Sequence, residues 1–135
     1  MTPCSFLIDT DWIIDHFNGV ESVTRRLLEL RDRGLAVSVI SVAELWEGVF
    51  SSRDPARSQQ MLEEFLSGVV ILGIDPETCR RFGQVRGTLR RRGQMIADFD
   101  LLIASSALQN QLTLLTNNRK HFEGIDGLTV ESKLP

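Results

Sequence analysis

A chain of 135 residues is long enough to bury a real core and too short for two ordinary domains, so one unit spanning residues 1–135 is expected. With 42% hydrophobic residues, 24% charged residues and four prolines, the composition excludes the disordered, collagen-like and disulfide-scaffold classes. A net charge of -3 argues against a nucleic-acid partner, but the distribution qualifies the sum: between Thr78 and Ala97 there is no acid, while Arg80, Arg81, Arg86, Arg90, Arg91 and Arg92 all fall there.

Cys4 and Cys79 are far apart, with no CxxC pattern and no histidines at zinc-finger spacing, which favours a reducing compartment. The N-terminal apolar run is cut by Asp9 and Asp11 and has no basic flank, unlike a signal peptide. No apolar stretch approaches the ~20 residues of a membrane span. A cytoplasmic protein with no membrane contact is the expectation.

In chain order, short β-rich apolar runs alternate with amphipathic segments, the pattern of an α/β fold with a parallel sheet and crossover helices. Ser5–Ile8 reads as the first strand, Asp11–Phe17 as a short helix ended by Asn18-Gly19, and Val20–Arg33 as a second helix with Val23, Leu27 and Leu30 on one side. Ala36–Ile40 is the next strand. Ser41 and Glu44 then have capping-box spacing at the head of a helix reaching Phe50. Pro55 suits the first turn of a helix through Phe65, Val69–Ile74 reads as a strand, and Asp75-Pro76-Glu77 opens a long arginine-bearing helix that stops at Gly93. Asp100 leads into the apolar helix Leu101–Gln109, in which Leu101, Leu102, Ala104, Ala107 and Leu108 are expected to be buried. Thr113–Leu115 is a strand, a helical turn carries Phe122, Leu128–Val130 is the last strand, and Ser132–Pro135 is a tail.

In open α/β sheets, functional groups collect beyond the carboxyl ends of the strands. Asp9 follows the first strand, Glu44 lies a helical turn past the second, Asp98 and Asp100 bracket the start of the apolar helix, and Asn118 follows Thr113–Leu115. Carboxylates gathered there would raise one another's pKa unless a cation neutralised them. Oxygen-only ligands point to Mg2+ or Mn2+, and such ions suit phosphodiester hydrolysis.

Each acid also has a bland reading. Asp9 or Thr10 can cap the following helix, Glu44 can complete a capping box with Ser41, and Asp100 can cap the helix beginning at Leu101. Asp11 is read as facing solvent or capping rather than binding metal. Arg86 and Arg90, at i, i+4, are a solvated face by default and phosphate contacts in the alternative. His16 and His121 have no ligand-pair spacing. Trp12 and Trp46 are assigned to packing in preference to base stacking.

Four blocks carry a resemblance: Phe6-Leu7-Ile8-Asp9-Thr10-Asp11, Ser41-Val42-Ala43-Glu44-Leu45-Trp46-Glu47-Gly48, Ala97-Asp98-Phe99-Asp100-Leu101-Leu102-Ile103-Ala104 and Leu115-Thr116-Asn117-Asn118-Arg119-Lys120-His121-Phe122. In order and separation they resemble the signature blocks of the VapC branch of PIN domains, across essentially the whole chain. The resemblance implies a three-layer α/β/α fold around a central parallel sheet and an endoribonuclease dependent on Mg2+ or Mn2+. It further implies a toxin held by a VapB-type antitoxin, an RNA substrate, often tRNA, and a homodimer. By position, Asp9 and Asp100 match the principal metal-binding aspartates and Glu44 the glutamate of the second block. Asp98 matches an additional acid, and Thr116 a hydroxyl residue bordering the site. The fourth block departs from the pattern, because many relatives carry a carboxylate at the position of Asn118 or of His121. Asn118 can then offer only a neutral oxygen, in support. A housekeeping RNA-processing PIN nuclease and a catalytically weak RNA-binding PIN module remain as alternatives. A phosphoacceptor receiver domain is disfavoured, because no phosphoacceptor aspartate ends the third strand of a compatible pattern.

Overall fold

Three-residue β1, Phe6–Ile8, is buried throughout, as the centre of a sheet covered on both faces requires. The computed structural model describes residues 4–133; residues 1–3 of the N-terminal segment and 134–135 of the C-terminal tail lie outside the described residues. Around β1 run β2 (Leu35–Ser38), β3 (Val70–Leu72), β4 (Thr113–Leu115) and β5 (Val130–Glu131), all parallel, in the order β3-β2-β1-β4-β5.

Period-two alternation divides the core. Phe6 and Ile8 of β1, Leu35 and Val37 of β2 and Leu115 of β4 face one layer. That layer contains α1 (Thr10–Phe17), α2 (Glu21–Leu30), α3 (Val39–Phe50) and α4 (Pro55–Leu66). Leu7, Ala36 and Leu114 face the other, made by α5 (Pro76–Arg91), α6 (Asp98–Gln109) and α7 (Arg119–Phe122). This is the expected α/β/α arrangement.

Several boundaries differ from the sequence expectation, each for a local reason. The second strand ends at Ser38 because that side chain caps α3, accepting from Ile40 N at 3.1 Å, so Val39 and Ile40 join the helix. The capping box at Ser41 is therefore corrected: Ser41 is buried inside α3. Asp100 does not cap α6 either, since the helix begins at Asp98 and places Asp98 and Asp100 in its first turn, where the helix dipole favours negative charge. Leu101 and Ala107 are fully buried as expected, whereas Leu102 and Leu108 are only partly so. The chain beyond Leu30 tightens into a short 3-10 turn, Arg31–Arg33, and β5 begins two residues later than expected.

No helix among the described residues is long and apolar enough to cross a membrane.

Candidate active site

The chain order of the strands makes the site's place predictable. From β1 the connections step to β2 and β3 on one side, while β4 and β5 lie on the other, so the crevice beyond β1 and β4 is the switch point of the sheet. Asp9 leaves β1 there and Thr116 leaves β4. The backbone pairing continues one step, Asp9 N to Leu115 O at 2.9 Å, and brings the two side chains together.

Thr116 is wholly buried and donates to Asp9 Oδ2 at 2.7 Å, while its oxygen accepts from Asn118 N at 3.1 Å. The other oxygen of Asp9 caps α1 through Thr10 N at 2.8 Å, so the capping role is real and coexists with the site role. Asp9 is only 4% exposed. Burial, opposed by the Thr116 and Thr10 hydrogen bonds and reinforced by the negative charges of Asp11 and Asp100, pushes its carboxyl up to about 7.

Asp11 does not face solvent as expected. It turns inward, accepting from Asn117 N at 2.9 Å with Thr116 Oγ1 3.4 Å away, and burial raises its pKa as well. Its Oδ1 is buried with no hydrogen-bond partner. An orphaned carboxylate oxygen beside a second buried carboxyl lacks a counter-charge.

Glu44 reaches the same rim by way of Thr10, whose hydroxyl donates to Glu44 Oε1 at 2.8 Å and lies 2.9 Å from Ser41 Oγ. Asp100 has His121 Nδ1 3.2 Å from its Oδ2, so the histidine read as incidental in the sequence stands at the site. Asp100 and His121 line a cleft of about 470 Å3 with Lys120, Gln94 and Met95. Asp98 points elsewhere: its side chain is 80% exposed and is paired with Arg86, which also donates to Ile96 O at 2.9 Å. Arg86 is thus occupied inside the fold, whereas Arg90 is exposed. Asn118 is exposed and holds the loop through its backbone.

Asn117, unremarked in the sequence, holds this corner together. Its Oδ1 accepts from Trp12 Nε1 at 3.0 Å, Ser132 Oγ at 3.1 Å and Lys133 N at 2.8 Å. Ser132 and Lys133 are therefore tied to the site and not a free tail. Trp12 is completely buried, and Trp46 is half-buried and stacks on Phe50, so both tryptophans pack.

The acids do not close into a ready cage: among the described residues no three Asp, Glu, His or Cys side chains are grouped to hold an ion. Instead of meeting directly as expected, the acids are spaced by neutral donors, Thr116 between Asp9 and Asp11 and Thr10 beside Glu44. That is the electrostatically cheaper arrangement for like charges. The donor chemistry nonetheless fits a hard divalent cation. Asp9, Asp11 and Asp100 would hold it with Glu44 nearby, and Asp11 Oδ1 is the oxygen left to satisfy.

Fold and site together define a class, a three-layer α/β/α domain with an acidic site at the switch point of a parallel sheet. The sequence matches the PIN domain over residues 6–128, and the chain belongs to the PIN-domain family and to its VapC branch. It is 30% identical over 126 residues to the tRNA(fMet)-specific endonuclease VapC of Shigella flexneri, covering 93% of this chain and 96% of that protein. It is 35% identical to ribonuclease VapC1 of Methanocaldococcus jannaschii, covering 94% and 87%. Among solved structures, VapBC2 of Rickettsia felis, bound to a DNA fragment from its promoter, superposes with a TM-score of 0.88 at 32% identity, covering 94% of this chain and 97% of that one.

Proposed function

We propose that the chain is the toxin of a type II toxin–antitoxin pair, an endoribonuclease that hydrolyses RNA phosphodiesters with Mg2+ or Mn2+. One observation carries the reading: at the sheet's switch point a buried Asp9 carboxyl, pushed up to about 7, lies near Asp11, whose Oδ1 is buried and unpartnered. A divalent cation held there would supply positive charge for the phosphate and lower the pKa of water. Asp9 and Asp100 are proposed as ligands, joined by Asp11. Glu44 orients water or the ion, with Thr10 fixing its carboxylate. Thr116 fixes Asp9, Asn118 N closes the loop onto the Thr116 hydroxyl, and Asp98, in the first turn of α6, supports only through its pair with Arg86.

The relatives include tRNA(fMet)-specific endonucleases, which supports RNA, and tRNA in particular, as the substrate. Solved VapBC complexes from Rickettsia felis and Salmonella typhimurium support a VapB-type antitoxin as partner. The surface that suits it is an apolar groove of about 350 Å3 between α1, α3 and α4, where Ile14, Phe17, Leu45, Val49 and Met61 form the walls and Glu44 sits at the lip. An amphipathic segment lying there would bring a basic side chain within reach of the acids. A homodimer acting on cytoplasmic RNA completes the proposal.

Induced expression with and without the antitoxin gene, followed by mapping of new RNA 5′ ends, tests toxicity, neutralisation and substrate together. Cleavage must vanish in EDTA and in folded Asp9→Asn and Asp100→Asn proteins; full activity in either variant defeats the assignment. The absence of a carboxylate at Asn118 and His121 favours one second reading, an RNA-binding PIN module. RNA binding by the purified protein without EDTA-sensitive cleavage selects it.

A further inference from the structure

We propose that the outer face of α5, through Arg80, Arg90 and Arg91, is the track on which the phosphodiester backbone of an RNA lies as it passes the acidic site. The proposal rests on the ribonuclease reading and extends it to a surface outside the acids. All three arginines are exposed, and among the described residues none is paired with a carboxylate, whereas Arg25, Arg26, Arg86 and Arg92 each are. Beyond Glu77 the helix carries no acid, so its field is of one sign. Arg91 donates to Thr88 Oγ1 at 3.2 Å but to no acid, and fixed positive charge without an internal counter-charge, on a chain whose net charge is -3, is complementary to a polyanion.

The position suits the site. Arg86 of the same helix grips Asp98 in the first turn of α6, and Leu89 lines the cleft that ends at Asp100 and Lys120. From Arg80 to Arg91 the helix rises about 16 Å, enough to follow several nucleotides.

Between the arginines the face is bare. Gly83 and Gly87 are interior to α5; a Cβ added at Gly83 would meet nothing within 4 Å, and one at Gly87 only Arg91 Nη1 at 3.5 Å. Neither has a positive φ. Nothing within the chain requires glycine there, and alanine is the better helix former. The arginines identify the ligand, and the glycines let its backbone approach the helix closely.

Two double variants test this, Arg80→Gln with Arg91→Gln and Gly83→Ala with Gly87→Ala, each compared with wild type. Binding of a fluorescein-labelled RNA hairpin is read by anisotropy in EDTA across a salt series. The glutamine pair should bind more weakly, with a log–log salt slope smaller by about two. The alanine pair should melt about 5 °C or more above wild type and yet bind the hairpin several-fold more weakly, because stability and binding pull in opposite directions at these positions. Both should be shifted in melting temperature by Mn2+ as wild type is, and wild type should cleave a short single-stranded oligoribonucleotide with Mn2+. Unchanged hairpin affinity and salt slope in both pairs overturn the proposal. So does a change in self-association, by analytical ultracentrifugation, with RNA binding unaltered, which would assign the face to a second copy. Failure of wild type to cleave the oligoribonucleotide strikes the ribonuclease reading instead, and the hairpin result still decides this one.

Discussion

Replacing Asp9 by Asn should stabilise the metal-free protein at neutral and alkaline pH while abolishing its cleavage of RNA. Below pH 3.8 the Asp9 carboxyl is protonated folded or unfolded, and its titration contributes nothing to the pH dependence. Between 3.8 and about 7 the unfolded chain has released the proton and the folded chain keeps it, so the native state binds more protons and stability falls as pH rises. Above about 7 both forms are ionised and the full penalty stands, about 4 kcal/mol for a shift from 3.8 to about 7. Asparagine carries no such penalty. Its side-chain oxygen can still accept from Thr10 N and its NH2 faces the Thr116 hydroxyl, so the cap and the buried contact both survive. The assay is urea denaturation of both proteins in EDTA at several pH values from 5 to 9. Wild type should lose stability across this range relative to Asp9→Asn, and Mn2+ should restore it in wild type, by about 2.7 kcal/mol at a hundredfold excess over Kd. Parallel stability curves for the two proteins from pH 5 to 9 would refute the reasoning.

Three further substitutions probe the supports. Thr116→Val removes the donor to Asp9 and the acceptor for Asn118 N, both in buried surroundings, and should cost about 1–3 kcal/mol in a denaturation series. Because the lost hydrogen bond was holding the Asp9 carboxyl down, the acid limb of the pH–rate profile should also move to higher pH, and Thr116→Ser should restore it. Arg26→Ala breaks the two-pronged bond to Glu131, at 2.7 and 3.0 Å, that fastens α2 to β5; a loss of about 1 kcal/mol that shrinks in high salt is expected from urea titrations. Ile14→Asp, in the wall of the apolar groove and 46% exposed, should change stability by less than about 0.5 kcal/mol and leave cleavage intact, yet release the toxin from co-expressed antitoxin in a growth assay.

The extent to which this site could be read in advance follows from the range of the forces that build it. Asp9 was legible because a short apolar run followed directly by an acid is how a covered parallel strand delivers a side chain to the rim. Asp100 was legible as an acid heading an apolar helix, although the start of that helix was misplaced by three residues because Ala97 offers no side-chain cap to mark it. Asp11 was not legible. What turns it inward is Asn117 N, far along the chain, and no local pattern distinguishes an acid in a first helical turn that faces water from one that meets a loop arriving from β4. The same holds for His121 beside Asp100 and for Ser132 and Lys133 on Asn117. The cap of α3 was read at Ser41 for its capping-box spacing with Glu44, whereas Ser38 is the residue that caps it. The choice was settled by where β2 stops pairing with β3, at Ser38 opposite Leu72.

These cases share one physical origin, which also bears on how the protein works. The residues that hold these acids, Thr116, marked in the sequence by the resemblance, and Asn117, which was not, are neutral hydrogen-bonding groups delivered by β4 to acids delivered by β1. They space the carboxylates and satisfy most of their oxygens, which lets a chain with no cation bound keep several acids at one sheet edge. The spacing leaves one oxygen, Asp11 Oδ1, unsatisfied, and one carboxyl, that of Asp9, reluctant to ionise. Both deficits have the sign that a divalent cation corrects, so metal binding and deprotonation of Asp9 must be coupled, and metal affinity should rise with pH through about 7. Calorimetric titration with Mn2+ in buffers of different ionisation enthalpy measures that coupling directly. Near pH 7 about half a proton should be released per ion bound in wild type. Asp9→Asn should release less, and equal release from the two proteins would separate Asp9 from the metal site.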